Sequence, residues 1–144
     1  MKLSTRGRYG VRLLIDLADH ATETQVTLAS IAQRQGISMR YLEHIAVLLK
    51  RADYIRSIKG ASGGYSLASD PPKIVIGDVL RVLEGDLRVV DELRSGQEEN
   101  ALQRCIRTMV YDKLNQRIAD LVDNLTLDQM AGTIDPDSAY MYYI

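Results

Sequence analysis

The sequence predicts a mainly α fold carrying one small β-hairpin. Three observations point there. Apolar residues recur at three- and four-residue spacing along most of the chain, and two short β-prone runs flank a glycine-rich stretch at 60–64. An uninterrupted amphipathic pattern then runs from Ala101 to Leu125. The charge is as uneven as the pattern. Residues 1–61 hold ten Lys/Arg against five Asp/Glu, a net of +5, while residues 62–144 hold eight against fourteen, a net of −6. The near-neutral total of −1 therefore joins a basic half to an acidic one. A basic half suits an anionic partner or simply faces solvent; the pattern inside it favours a polyanion.

Residues 4–20 form the first helix, with Ser4 or Thr5 as cap and Val11, Leu14, Ile15 and Ala18 at helical spacing. Arg6, Arg8 and Arg12 crowd its first turns, where the helix dipole disfavours cations, so an outside anion or plain solvation must relieve them. Thr27 caps a short second helix, Gly36 ends it at positive φ, and Ser38 caps a third bearing Leu42, Ile45, Leu48 and Leu49. Two helices joined by about three residues with a glycine make a helix-turn-helix, and small Ala32 lets the second pack close. Residues 54–59 and 65–68 read as strands, and a hairpin directly after a helix-turn-helix is a wing. A phosphate-cradling loop is the alternative for those glycines. It lacks the Gly-Lys-Ser/Thr continuation and the following helix.

Pro71 and Pro72 break the chain before a helix near Ile76–Leu83. The segment 86–100 is polar and acidic and reads as a mobile connector. The helix that follows is roughly 35 Å long at 1.5 Å per residue. Its apolar stripe exceeds what a head of residues 1–85 can cover. A second copy is the expected cover, and packing onto the chain's own head the alternative. Thr126-Leu127-Asp128-Gln129 matches a capping box and starts a last short helix. The expected organisation is a winged helix-turn-helix head at 1–85, a connector at 86–100, a dimerisation helix at 101–125, and a short helix with a tail at 126–144.

Several classes are disfavoured. The start lacks the apolar run of a signal peptide and no stretch reaches ~18 apolar residues, so a cytoplasmic protein is expected. Cys105 is the one cysteine, which excludes an internal disulfide and a cysteine-only metal site within one chain. Only His20 and His44 exist, and no acidic pair is placed in a pocket, so the reading is not an enzyme. The exposed side of the third helix instead offers Ser38, Met39, Arg40, Tyr41, Glu43 and His44 to double-stranded DNA. An Arg can bridge guanine O6 and N7, and a carboxylate can accept from cytosine N4. Glu43 sits badly near phosphates, which marks it as a specificity residue. Arg56 and Lys59 on the wing, beside Gly60 and Gly63, would meet the backbone or minor groove, as would Arg6, Arg8 and Tyr9, with Thr27 at the start of the second helix.

Gly7-Arg8-Tyr9, Tyr41-Leu42-Glu43, Ile58-Lys59-Gly60 through Gly63-Gly64-Tyr65, Val82-Leu83-Glu84-Gly85 and Thr126-Leu127 occur in that order. Together they resemble the IscR/NsrR/CymR-type winged helix-turn-helix transcriptional regulators over essentially the whole chain. The resemblance implies a homodimer that binds a pseudo-palindromic operator. Cluster-binding members carry three cysteines at the connector and the start of the long helix. Cys105 fits the last, but Glu99 and Leu93 occupy the earlier positions, and Thr108 stands where some members have a histidine. One thiolate does not hold an iron–sulfur cluster unless a partner chain supplies the rest. The resemblance therefore points to the cluster-free branch typified by CymR, with no cofactor and a repressor role in cysteine metabolism. Burial as a small apolar residue is the expected fate of Cys105, and redox sensing the alternative. The ending Ala139-Tyr140-Met141-Tyr142-Tyr143-Ile144 is similar to that branch as well. It implies that Tyr142, Tyr143 and Ile144 dock to cysteine synthase (O-acetylserine thiol-lyase), with packing onto the dimer as the rival reading.

Overall fold

In the computed structural model, which describes residues 2–20, 26–60 and 63–131, helix α1 (Thr5–Asp19) begins where the Ser4 hydroxyl accepts from the Gly7 N–H at 3.4 Å. A second anchor comes from far along the chain. Glu84 Oε1 accepts from Ser4 N at 2.9 Å, Ser4 Oγ at 2.6 Å and Gly7 N at 3.0 Å. An internal anion thus meets the start of α1, where the sequence left an outside anion or solvation open for its arginines. It is a carboxylate at the positive end of the helix dipole. Gly7 is needed for this close approach, since a Cβ there would lie 2.1 Å from Glu84 Oε1. Arg6 completes the knot by donating from Nε to the Leu83 carbonyl at 2.6 Å.

Helix α2 (Leu28–Gln35) starts at Thr27, whose hydroxyl accepts from Ser30 N at 3.1 Å, and stops at Gly36 with φ 64°. Helix α3 (Met39–Arg51) starts at Ser38, which accepts from Tyr41 N at 3.2 Å. Strands β1 (Ile55–Ile58) and β2 (Gly64–Leu67) pair antiparallel, from Ile55 opposite Leu67 to Ile58 opposite Gly64. Val26 adds one rung against Tyr65, with N–H···O bonds of 3.1 and 2.8 Å, so the wing is stitched to the segment that opens α2. A 3₁₀ turn at Pro71–Lys73 leads into α4 (Ile76–Glu84).

The expected long helix is present but not uniform. It runs as α5 (Ala101–Ile106), a π-helical turn over Arg107–Tyr111, and α6 (Asp112–Asp123). Asn100 caps it in a reciprocal box with Gln103. Thr126 N donates to Gln129 Oε1 at 3.1 Å and opens α7 (Leu127–Ala131). That last helix returns to the head: Leu127 is fully buried, and its N–H donates to the Ile74 carbonyl at 2.9 Å.

The core is aliphatic, built on Leu13, Leu14, Ile31, Leu42, Ile45, Leu49, Val79, Leu83 and Leu127. The long-helix stripe divides into two faces. Ile118, Val122 and Leu125 pack against this core, so own-head packing accounts for that part. Leu102, Met109, Leu114 and Leu121 stay 69, 62, 47 and 63% exposed. The connector is irregular, as expected, yet it is pinned at its start. Leu87 is buried, Asn115 Oδ1 accepts from Val89 N at 2.8 Å, and Asn115 Nδ2 donates to the Val90 carbonyl at 2.9 Å. Among the described residues no helix is long and apolar enough to cross a membrane. Tyr142, Tyr143 and Ile144 lie outside the described residues.

Candidate nucleic-acid interface

Helix α3 is amphipathic. Leu42, Ile45, Ala46 and Leu49 face the core, while Met39, Arg40, Glu43, His44, Val47, Lys50 and Arg51 are exposed. One ring contact ties it to α1, and two polar anchors tie α1 to the end of α2 just before it. Tyr9 of α1 meets Tyr41 edge to face at 5.6 Å between ring centroids. Arg12 stacks over Tyr9 at 5.1 Å and donates to Gln35, through Nε to Oε1 at 3.2 Å and through Nη2 to the carbonyl. Asp16, buried in α1, receives Arg34 Nε at 3.0 Å, Arg34 Nη2 at 2.6 Å and Gln35 Nε2 at 2.9 Å. His20 Nδ1 lies 3.5 Å from the same carboxylate. Burial alone would push the Asp16 carboxyl up; the bonds from Arg34 and Gln35 outweigh it and hold the group below its ordinary value. Arg34, counted among the cations of the basic half, is thus a structural anchor between α1 and α2.

The sequence-predicted residues fall into two groups. Met39, Arg40, Glu43 and His44 share the exposed side of α3, and Arg40, Glu43 and His44 line a shallow concavity of about 500 Å³ with Ser38, Tyr41 and Val47. Arg8, Arg56 and Lys59 are exposed cations, with Arg56 Nε donating to Ser66 Oγ at 3.1 Å across the hairpin. Gly60 and Gly63 close the described part of the wing, the Gly63 N–H donating to the Gly60 carbonyl at 3.1 Å. Thr27, Tyr9 and Arg6 serve structure first: a cap, an aromatic contact and a carbonyl lock. Val47, Lys50 and Arg51 were missed by the sequence reading. Helical spacing from Glu43 and His44 places all three on the same side.

A second region gathers at the start of the long helix. Glu99 is clamped by Arg107, with Oε1 accepting from Nε and Oε2 from Nη2 at 3.0 Å, and Arg107 Nη1 also reaches Asp112 at 2.9 Å. These bonds hold the Glu99 carboxyl below its ordinary range. Cys105 is exposed, not buried as expected, and its Sγ lies 3.6 Å from Met109 Sδ. The physical reason is that α5 extends where the head offers no cover. Thr108 Oγ1 donates back to the Arg104 carbonyl at 2.9 Å, and Leu93 is an exposed hydrocarbon. Among the described residues, no three His, Cys, Asp or Glu side chains are grouped to hold a metal ion.

Residues 3–133 match the Rrf2 family model, described as iron-dependent transcriptional regulators. The chain belongs to the Rrf2 family. It is similar to CymR of Bacillus subtilis, 39% identical over 145 residues that span all of both chains. A solved structure of CymR, the global cysteine regulator of B. subtilis, matches with a TM-score of 0.81 at 36% identity, covering 94% of this chain and 99% of that one. IscR of T. potens matches at 0.76 with 37% identity, covering 99% and 97%. The mainly α, winged helix-turn-helix architecture read from the sequence is that of these neighbours. Its Rrf2 relatives are transcriptional regulators and not enzymes, and the chain is a transcriptional regulator. The residues at the family's cluster positions do not fit an iron–sulfur cluster: an Arg-paired carboxylate, a leucine and a back-bonded threonine accompany one thiol.

Proposed function

We propose that this Rrf2 regulator binds an inverted-repeat operator as a homodimer, represses genes of cysteine metabolism, and does so without an iron–sulfur cluster. The observation that carries the DNA reading is the polar side of α3, which sets Arg40, Glu43 and His44 around one concavity in a head that also exposes Arg8, Arg56 and Lys59. The head, connector, dimerisation helix and tail take residues 1–85, 86–100, 101–125 and 126–144. Cysteine metabolism is supported by the likeness to CymR, including its description as a cysteine regulator.

Genomic fragments retained by the purified full-length protein yield the operator. On that operator Glu43→Ala should relax base preference by ~1–3 kcal/mol of discrimination while costing less overall affinity. Arg8→Ala should weaken all sequences alike and flatten the salt dependence, as loss of one phosphate contact does. Unchanged sequence preference in Glu43→Ala removes the role given to that residue. The exposed Cys105 supports a second reading, a thiol-based redox sensor. Operator binding that survives oxidation of the thiol decides against it.

Cluster-free regulation has its own test. Protein purified without oxygen should be colourless and lack stoichiometric iron and sulfide. A brown protein containing both overturns the assignment. For the tail, Tyr142, Tyr143 and Ile144 are proposed to dock to cysteine synthase, the terminal carboxylate and last side chain being the recognised elements. Calorimetry should show that removing Tyr143-Ile144 abolishes binding to the cognate synthase and leaves the dimer intact. Equal affinity of full-length and shortened protein refutes docking.

A further inference from the structure

We propose that Val47 reads the 5-methyl group of a thymine and is a specificity residue of the regulator. The inference rests on the assignment of α3 as the base-reading helix and names what its centre recognises. Core-facing Leu42, Ile45, Ala46 and Leu49 define the inner side of α3, and Val47 lies on the opposite side. Its neighbours one turn away are Glu43, His44, Lys50 and Arg51, all polar and exposed. Val47 itself is 48% exposed and forms part of the wall of the concavity shared with Arg40, Glu43 and His44.

A single exposed valine is common on protein surfaces and needs no function by itself. Its placement here is more selective. Among the base-edge groups of the major groove the thymine methyl is the one apolar group that projects far enough for apolar side chains to contact it, while the groups that tell the bases apart by hydrogen bonding are donors and acceptors. A β-branched side chain ringed by a guanidinium, a carboxylate and an imidazole presents an apolar spot within a polar reading surface. Phosphate oxygens offer such a spot nothing. Four residues along the helix correspond to about 6 Å, roughly two base-pair steps, so this thymine lies within two steps of the cytosine whose N4 amino group donates to Glu43.

The test replaces each thymine of one operator half-site, one at a time, by deoxyuridine, which removes only the methyl group. Full-length wild type and Val47→Ser are titrated against the series by fluorescence anisotropy. One position should weaken wild type about fourfold, the weight of a single buried methyl group, and leave Val47→Ser unaffected. The variant changes an exposed position, and an unchanged melting temperature verifies its fold. If every deoxyuridine affects both proteins equally, the thymine assignment is wrong while DNA reading by α3 stands. If neither protein binds any inverted repeat, the reading surface itself falls and this inference with it.

Discussion

Leu114→Glu should give a monomer that no longer holds an inverted repeat. Leu102, Met109, Leu114 and Leu121 form an open apolar row along α5 and α6, and nothing among the described residues covers it. Such a row matches a second copy of the same helix. A carboxylate at its middle would be buried without a partner, a cost of several kcal/mol. Losing the second head also removes avidity, so operator affinity should fall by at least roughly a hundredfold. Light scattering reads the first effect and a binding titration the second; an intact dimer in this variant refutes the assignment. Ile118→Glu would be a poor probe of the same idea. Ile118 packs against the head's core, and charging it should destabilise the fold itself.

Asp16→Ala should lower folding stability by about 3 kcal/mol at neutral pH, measured by urea unfolding. Removing one member of a buried ion pair typically costs 3–5 kcal/mol, and the lower end applies because the Arg34 side chain is 33% exposed. The pH dependence has a definite sign. The native Asp16 carboxyl lies below its ordinary value of 3.8. The folded state therefore binds its proton less readily than the unfolded state. This stabilisation is complete above pH 4 and is lost as pH falls through the lowered native value. Wild type and Asp16→Asn should accordingly converge in stability as pH falls well below 4 and separate as it rises back towards 4. Parallel curves across that range would show that the carboxylate charge is irrelevant.

What the sequence revealed was local. Ser4, Thr27, Ser38 and Gly36 act within four residues of themselves, so their roles could be read by inspection. Glu84 could not: its partners are Ser4 and Gly7, some eighty positions away, and only the folded head brings them together. The same holds for Asp16, which sits in a helical pattern like any surface acid until Arg34 and Gln35 close over it. The long helix was readable as amphipathic, but its division into a head-facing and an open side was not. The π turn at Arg107–Tyr111 adds a residue per turn and shifts the stripe's phase between α5 and α6. Cys105 was misjudged for a related reason, since its surroundings depend on where α5 projects. Val47 needed only the core-facing side of α3 as a reference.

The rung between Val26 and Tyr65 reaches beyond the wing. With buried Ile55 and the Lys50 Nζ to Ser57 Oγ bond of 2.9 Å, it fastens the hairpin to both helices of the helix-turn-helix. The strands of the wing and the outer side of α3 therefore keep a fixed separation, like the jaws of a gauge that has been locked. A duplex presented to one head must match that span. In the proposed dimer the slack needed for operators of varied length resides between the two heads, so natural sites should differ more in their central spacers than inside their half-sites.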